Sequence, residues 1–207
     1  MEFEQIKIFD EHGHEIGIEG REDVHQKGDW HETFHCWIVG KAGGVDYIYF
    51  QIRSEQKKDY PNLLDITAAG HILAHESVID GIREIKEELG LDVSFSELES
   101  LGMIKDCILT NQLIDKEFCH VYLYHLKERI GKLTLQKDEV SGIVKGKFKD
   151  FFYLCFGDKE EMMVEGFQIN ENEKEEAIKK LVGIKDFVPH EDTYLESVVT
   201  RINERLR

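Results

Sequence analysis

The sequence predicts an α/β fold, a mixed sheet covered by helices with a helical extension at the C-terminus. Three observations carry this expectation. Segments rich in aromatic and β-branched residues stand on both sides of one strongly amphipathic helical segment, residues 77–89. Two of them, TFHCWIV (33–39) and DYIYFQIR (46–53), flank the turn GKAGGVD as the arms of a hairpin do. From about residue 168 the chain changes to charged segments with helical spacing.

Taken in order, residues 3–8 (FEQIKI) alternate as a strand, and EHGHE turns into a second short strand, EIGIEG, making an N-terminal hairpin within residues 1–24. The aromatic hairpin follows. Residues 55–62 are a polar loop containing Pro61, and 63–73 supply a short strand leading into the amphipathic helix. Strands are expected near 100–109 (SLGMIKDCIL) and 117–126 (EFCHVYLYHL), and then Lys137-Asp138-Glu139-Val140 leads into the run 146–155. Residues 170–182 (NENEKEEAIKKLV) and 190–207 read as two amphipathic helices, the second opened by Pro189 and carrying Val198 and Ile202 on one face. No Gly/Ser/Pro linker and no repeat divides the chain, so one domain is expected over 1–207, with its core at about 25–160 and its C-terminal helices at about 168–207.

The helix at 77–89 holds the chemistry. Val78, Ile82, Ile85 and Leu89 repeat at i, i+3, i+4 spacing and form a core stripe. Glu84, Glu87 and Glu88 share another face, and Gly90 stands where a left-handed cap ends a helix. Like charges at this spacing repel. Hard divalent cations, which take oxygen ligands and bridge carboxylates to phosphates, supply a reason for the arrangement.

Gly70, Glu76 and the run Arg83-Glu84-Ile85-Lys86-Glu87-Glu88-Leu89-Gly90-Leu91 resemble the box of the Nudix hydrolases, G-x5-E-x7-R-E-U-x-E-E-x-G-U with U aliphatic. Six residues rather than seven separate Glu76 from Arg83, so an ungapped count puts His75 in the box glutamate position. The deletion falls in the turn before the helix, which leaves the role of Glu76 open. The resemblance implies an α/β/α sandwich, with Glu84, Glu87 and Glu88 holding Mg²⁺ (or Mn²⁺) and Arg83 orienting a glutamate.

A further set of residues is similar to the isopentenyl-diphosphate isomerase-like branch of the same superfamily, over roughly residues 5–150. In that branch two early histidines, a histidine after the glycine and two acidic residues of a later strand bind one divalent metal. His25, His31, His71, Asp115 and Glu117 fall at those places. Asp115 and Glu117 alternate along a strand and so share a face. The branch's proton-transfer cysteine, immediately before the Gly-His pair, is here Ala69, which cannot exchange a proton.

These features together imply a metal-dependent hydrolase cleaving a small-molecule diphosphate linked to another moiety. Two alternatives stay open, an isomerase-like enzyme using the histidine site and a non-catalytic diphosphate-binding module. Glu139, Glu117 and Glu88 are the candidates for the general base. Arg53, Lys57 and Lys58, in and before the polar loop, and Gly70 are candidates for holding the substrate, and Trp30, Phe34, Trp37 and Tyr60 for lining its pocket.

The bulk properties set bounds. A net charge of −16, from 26 basic and 42 acidic residues, argues against broad nucleic-acid or anionic-membrane binding. A bound cation would reverse the local field at a phosphate site. Cys36, Cys107, Cys119 and Cys155 form no C-x-x-C pair and read as reduced, buried thiols. The acidic start MEFEQIKIFDEHG lacks an apolar signal core, and no apolar run approaches a membrane span, so a cytoplasmic protein is expected. A homodimer stays open as an arrangement of the chain.

Overall fold

The structure is a computed structural model, and it describes residues 4–110, 114–127, 133–170 and 172–206. Its strands are β1 (Gln5–Phe9), β2 (Glu15–Gly20), β3 (Trp30–Ala42), β4 (Val45–Arg53), β5 (Leu64–Asp65), β6 (Ala68–His71), β7 (Leu98–Leu109), β8 (Ile114–Leu126), β9 (Val140–Lys147), β10 (Met162–Ile169) and β11 (Glu175–Val182). The helices are α1 (Arg21–Lys27), α2 (Arg83–Leu89), α3 (Phe148–Cys155) and α4 (Asp192–Arg205).

Strand β3 organises the sheet. It pairs antiparallel with β4 through the hairpin, with β6 between Thr33–His71 and Cys36–Ala68, and with β1 at its start. Along its other edge it runs parallel to β8, from Trp30–Lys116 to Gly40–Leu126. The sheet is therefore mixed, with the main path running β11-β10-β9-β4-β3-β1-β2. Successive β3 side chains enter different clusters. Trp37 packs with Phe50, Phe151, Tyr194, Val198 and Ile202 beneath α3 and α4, whereas Phe34, Cys36 and Ile38 pack with Ile85 and Leu89 of α2. Helices thus cover both faces, which is the layered α/β fold expected.

Helix α2 is shorter than the 77–89 expected. Asp80 accepts from the backbone N–H and hydroxyl of Ser77 at 2.9 and 2.7 Å, residues 80–82 form a 3₁₀ turn, and α-helix begins only at Arg83. The apolar stripe survives: Ile85 and Leu89 are buried, and Val78 and Ile82 pack partly buried on the same cluster. Gly90 closes the helix at φ 70°, a left-handed conformation.

Residues 170–182 are a correction to the sequence expectation. The described residues among them, 170 and 172–182, form no helix; β11 pairs with β10 from Met162–Val182 to Ile169–Glu175. Good helix formers yield here to the pairing that β10 offers, and only Val182 of β11 is buried. The Lys and Glu side chains left in solvent guard an edge strand. The final helix does form, with Leu195, Val198, Val199 and Ile202 buried along one side. Two helices were not expected: α1, which carries His25, and α3, which takes up all but the first two residues of the run 146–155.

Candidate active site

One cleft of about 230 Å³ opens where β3, β6, β8 and α2 meet, and both predicted acidic sets face it. Among its lining residues are His25, His71, Glu84, Glu87, Glu88, Asp115, Glu117 and Glu139.

The α2 side is built around close approaches. The Glu84 carboxylate lies directly against Gly70, where any Cβ would overlap it. Gly70 therefore makes room for a carboxylate. Burial pushes the Glu84 acid up to about 7, against the pull of Arg83 and with the help of Glu87. Glu88 is buried, accepts the Ala69 N–H at 3.0 Å, and is raised well above the usual carboxylate range by burial and by the Glu84 charge. Glu87 is half exposed. Arg83 ties this end together. Its guanidinium donates to Glu76 at 2.6 and 3.1 Å, to Glu84 at 2.7 Å, to Glu87 at 2.9 Å and to the His71 carbonyl at 3.0 Å. Glu76 also accepts the Leu73 N–H at 2.9 Å. Despite the short box, Glu76 thus reaches Arg83, and His75 is exposed.

The second set converges opposite. His25, His31 and His71 place ring nitrogens within 4.8 Å of one another, as do the ligand atoms of His31, Asp115 and Glu117. His25 comes from α1, His31 from β3, His71 from β6, and the two carboxylates from β8. The register pairs His31 with Glu117 across the β3–β8 ladder. Asp115 Oδ1 lies 3.3 Å from His25 Nε2 and 3.4 Å from His31 Nε2. His25 Nε2, His31 Nε2 and Asp115 Oδ1 are buried without a hydrogen-bond partner. Buried polar atoms are seldom left so. Burial holds the His31 imidazole down to about 4, the neutral form in which a histidine binds metal. A mixed imidazole and carboxylate set of this kind suits a divalent cation.

The predicted substrate-holding residues divide. Arg53 lines the cleft, but its guanidinium is committed to Asp65 Oδ2 at 2.7 Å and to the carbonyls of Asp59 and Tyr60 at 2.8 and 3.1 Å. It shapes the loop, in which Tyr60 and Asn62 take left-handed conformations at φ 52° and 65°. Lys57 pairs with Glu139 in the cleft. Lys58 is exposed and lines only an adjoining outer groove. Of the aromatic candidates only Tyr60 lines the cleft; Phe34 and Trp37 are core, and Trp30 packs on Phe118 at 4.9 Å between ring centroids.

Several cleft residues were not anticipated. His35 stands two strand steps beyond Thr33 and four residues beyond His31, so strand alternation was the available signal. His190, from the segment before α4, donates to Asp106 at 2.6 Å and to Asp65 at 3.1 Å. These carboxylates overcome its burial and raise it to about 10, so it is an imidazolium. Nothing in the local sequence links residue 190 to residues 65 and 106.

Comparison with known proteins agrees with this architecture. No family model matches the chain. An uncharacterized Nudix hydrolase of Clostridium acetobutylicum is 41% identical over 96% of this chain and 97% of its own length. An isopentenyl-diphosphate Delta-isomerase of Aromatoleum aromaticum is 32% identical over 58% of this chain and 65% of its own length. Among solved structures, a protein of Deinococcus radiodurans superposes with a TM-score of 0.56 at 17% identity, covering 75% of this chain and 91% of that one. The chain belongs to the Nudix hydrolase family. Among the described residues, no helix is long and apolar enough to cross a membrane.

Proposed function

We propose that this protein is a divalent-metal-dependent hydrolase that cleaves a diphosphate linked to a polar moiety. The observation that supports this most is the crowding of Glu84 and Glu88, buried and raised in pKa, into the same cleft as the histidine–carboxylate set. Carboxylates buried this closely cost stability even with Arg83 beside Glu84, so such a set is best explained by the ligand it receives.

Glu84, Glu87 and Glu88 would hold Mg²⁺ (or Mn²⁺), with His25, His31, His71, Asp115 and Glu117 forming a second cation site. A divalent ion there supplies charge for diphosphate oxygens and a more acidic water. The chain's own residues do the rest. Arg83 holds Glu84 and Glu87 in register through one guanidinium nitrogen, which donates to both. Glu88 and Glu117 face the cleft as candidate proton acceptors for water. Glu139 is a third, although Lys57 draws on its carboxylate. In-line attack at phosphorus then asks chiefly for positioning.

The lining bears on the linked moiety. Among the described residues, the apolar lining of the cleft comes from Tyr60, Ile66, Ala69, Ile108 and Val188, and the adjoining groove is formed mostly by charged and amide side chains with Ile114 and Thr110. Such walls suit sugar or nucleoside groups better than a prenyl chain. The isomerase reading is disfavoured by Ala69, whose N–H serves Glu88, and by the absence of cysteine from the cleft lining among the described residues. The Cys119 thiol lies 3.5 Å from Glu117 Oε2, but burial pushes it well above the usual thiol range.

The test is a panel of nucleoside, sugar, thiamine-type and isoprenoid diphosphates with Mg²⁺ and with Mn²⁺. The expected result is phosphate release from a polar member, lost in Glu87→Gln and in Glu88→Gln while both variants stay folded. Undiminished turnover in both variants would move the reaction away from α2.

A further inference from the structure

Glu117, in the cation set, divides its two oxygens between different neighbours. Oε1 faces His31 Nε2 at 3.9 Å, while Oε2 faces His35 Nε2 at 3.3 Å. His35 is buried on β3, and its other nitrogen, Nδ1, lies 2.7 Å from the Tyr194 hydroxyl of α4. That hydroxyl also lies 3.4 Å from Trp37 Nε1.

The direction of these bonds follows from which groups can donate. An indole N–H only donates. Trp37 therefore gives its hydrogen to the Tyr194 oxygen, and the single Tyr194 hydrogen is free for His35. Tyr194 is fully buried, and burial holds its phenol far above its ordinary pKa, so that hydrogen stays in place. The relay assigns the accepting role to His35 Nδ1, and a neutral imidazole that accepts at Nδ1 carries its hydrogen on Nε2. That N–H stands on the side of Glu117, with Nε2 3.3 Å from Oε2, within ion-pair reach.

We propose that Trp37 and Tyr194 set the hydrogens of His35 through a one-way hydrogen-bond relay, and that the His35 Nε2–H, beside Oε2, holds Glu117 so that Oε1 turns toward His31 in the cation set. Helix α4 thereby completes the cation set, and His35 and Tyr194 are positioning residues that act through Glu117. This rests on the reading of that set as a cation site. The consequence is specific: residues about 160 positions apart in sequence, His35 and Tyr194, decide the orientation of a ligand on β8. Outer partners that orient a ligand are worth roughly 10–100-fold in metal affinity.

Two measurements test this on the full chain. In the metal-free protein, long-range ¹H–¹⁵N spectra of the histidine side chains report the tautomer directly. His35 is expected as the Nε2–H form, with an accepting Nδ1, and Tyr194→Phe is expected to release it to a tautomer mixture. A His35 carrying its hydrogen on Nδ1 in the unsubstituted protein overturns the relay without any variant having to fold. In the second measurement Co²⁺ is titrated in, and contact-shifted imidazole signals are followed, which arise only from coordinated histidines. His35→Leu is expected to weaken Co²⁺ binding at the histidines by at least about tenfold. His35→Gln, which keeps a donor facing Glu117, is expected to retain most of that affinity. Equal affinity in His35→Leu and the unsubstituted chain overturns the proposal. Absence of any contact-shifted imidazole signal in the unsubstituted chain overturns the cation reading beneath it, whichever tautomer His35 shows.

Discussion

Replacing Glu84 with glutamine should make the metal-free protein more stable while destroying its activity. Burial lifts the Glu84 acid from its ordinary 4.5 to about 7. Below pH 4.5 the folded and unfolded chains both hold the proton, so the group costs nothing. As the pH rises toward 7 the unfolded chain loses its proton first, binds fewer protons than the folded chain, and stability falls. Above the folded value the penalty is constant, about 3 kcal/mol for a shift of this size. Its side chain is only 12% exposed, so solvent screening reduces this little. Glutamine fills the same space beside Gly70, still accepts from Arg83, and carries no charge to bury. Urea unfolding in EDTA should show Glu84→Gln stabilised by about 2–3 kcal/mol at pH 8 and by less than about 1 kcal/mol at pH 5. Glu84→Gln that is less stable at pH 8, or that shifts stability equally at both pH values, would refute the claim that this carboxylate is held at a cost. The expected trade of stability for chemistry is common where a site must stay charged and buried.

Other perturbations follow from the same geometry. Gly70→Ala drives a methyl into the Glu84 carboxylate, and kcat/KM should fall by roughly a hundredfold with little change in Tm, because a misplaced group near the reacting atoms costs about that much. His190→Gln leaves Asp65 and Asp106 buried without their imidazolium and should cost about 3–5 kcal/mol in denaturant unfolding at pH 7. Because His190 is raised from 6.5 to about 10, its contribution is complete below pH 6.5 and is lost as the pH climbs through about 10, so the gap between variant and parent should narrow in alkaline melts. Lys57→Ala should lower turnover through Glu139, whereas Lys58→Ala, on the outer groove, should leave kcat/KM for a small diphosphate unchanged.

How much of this was legible in the sequence depended on how local the determining signal was. The α2 glutamates and their apolar stripe follow from helical spacing within a few residues, and Asp115 with Glu117 from strand alternation. The strands of the aromatic hairpin are legible for the same reason. The shortened box was harder. Counting residues puts His75 in the glutamate position, but the 3₁₀ turn at 80–82 changes the rise before Arg83 and lets Glu76 reach the guanidinium. Residues 170–182 misled because Ala177, Ile178, Leu181 and Val182 have helical spacing, while the strand pairing that decides their state comes from β10, outside the segment. Tyr194 and His190 were invisible as site residues for a related reason: their partners His35, Asp65 and Asp106 lie some 84–159 residues away. The loop-clamping contacts of Arg53 were not legible, because a basic residue that meets a phosphate and one that holds its own loop's carbonyls look alike in sequence.

The central claim is that water attacks a diphosphate held over the α2 glutamates. Its most direct test is turnover of the panel substrates in ¹⁸O-labelled water with Mg²⁺, read by mass spectrometry of the products. The account predicts one ¹⁸O in a phosphate-bearing product from the unsubstituted protein, and none formed at a measurable rate by Glu88→Gln. An isoprenoid diphosphate rearranged to its isomer, with no label incorporated and no phosphate released, would contradict it.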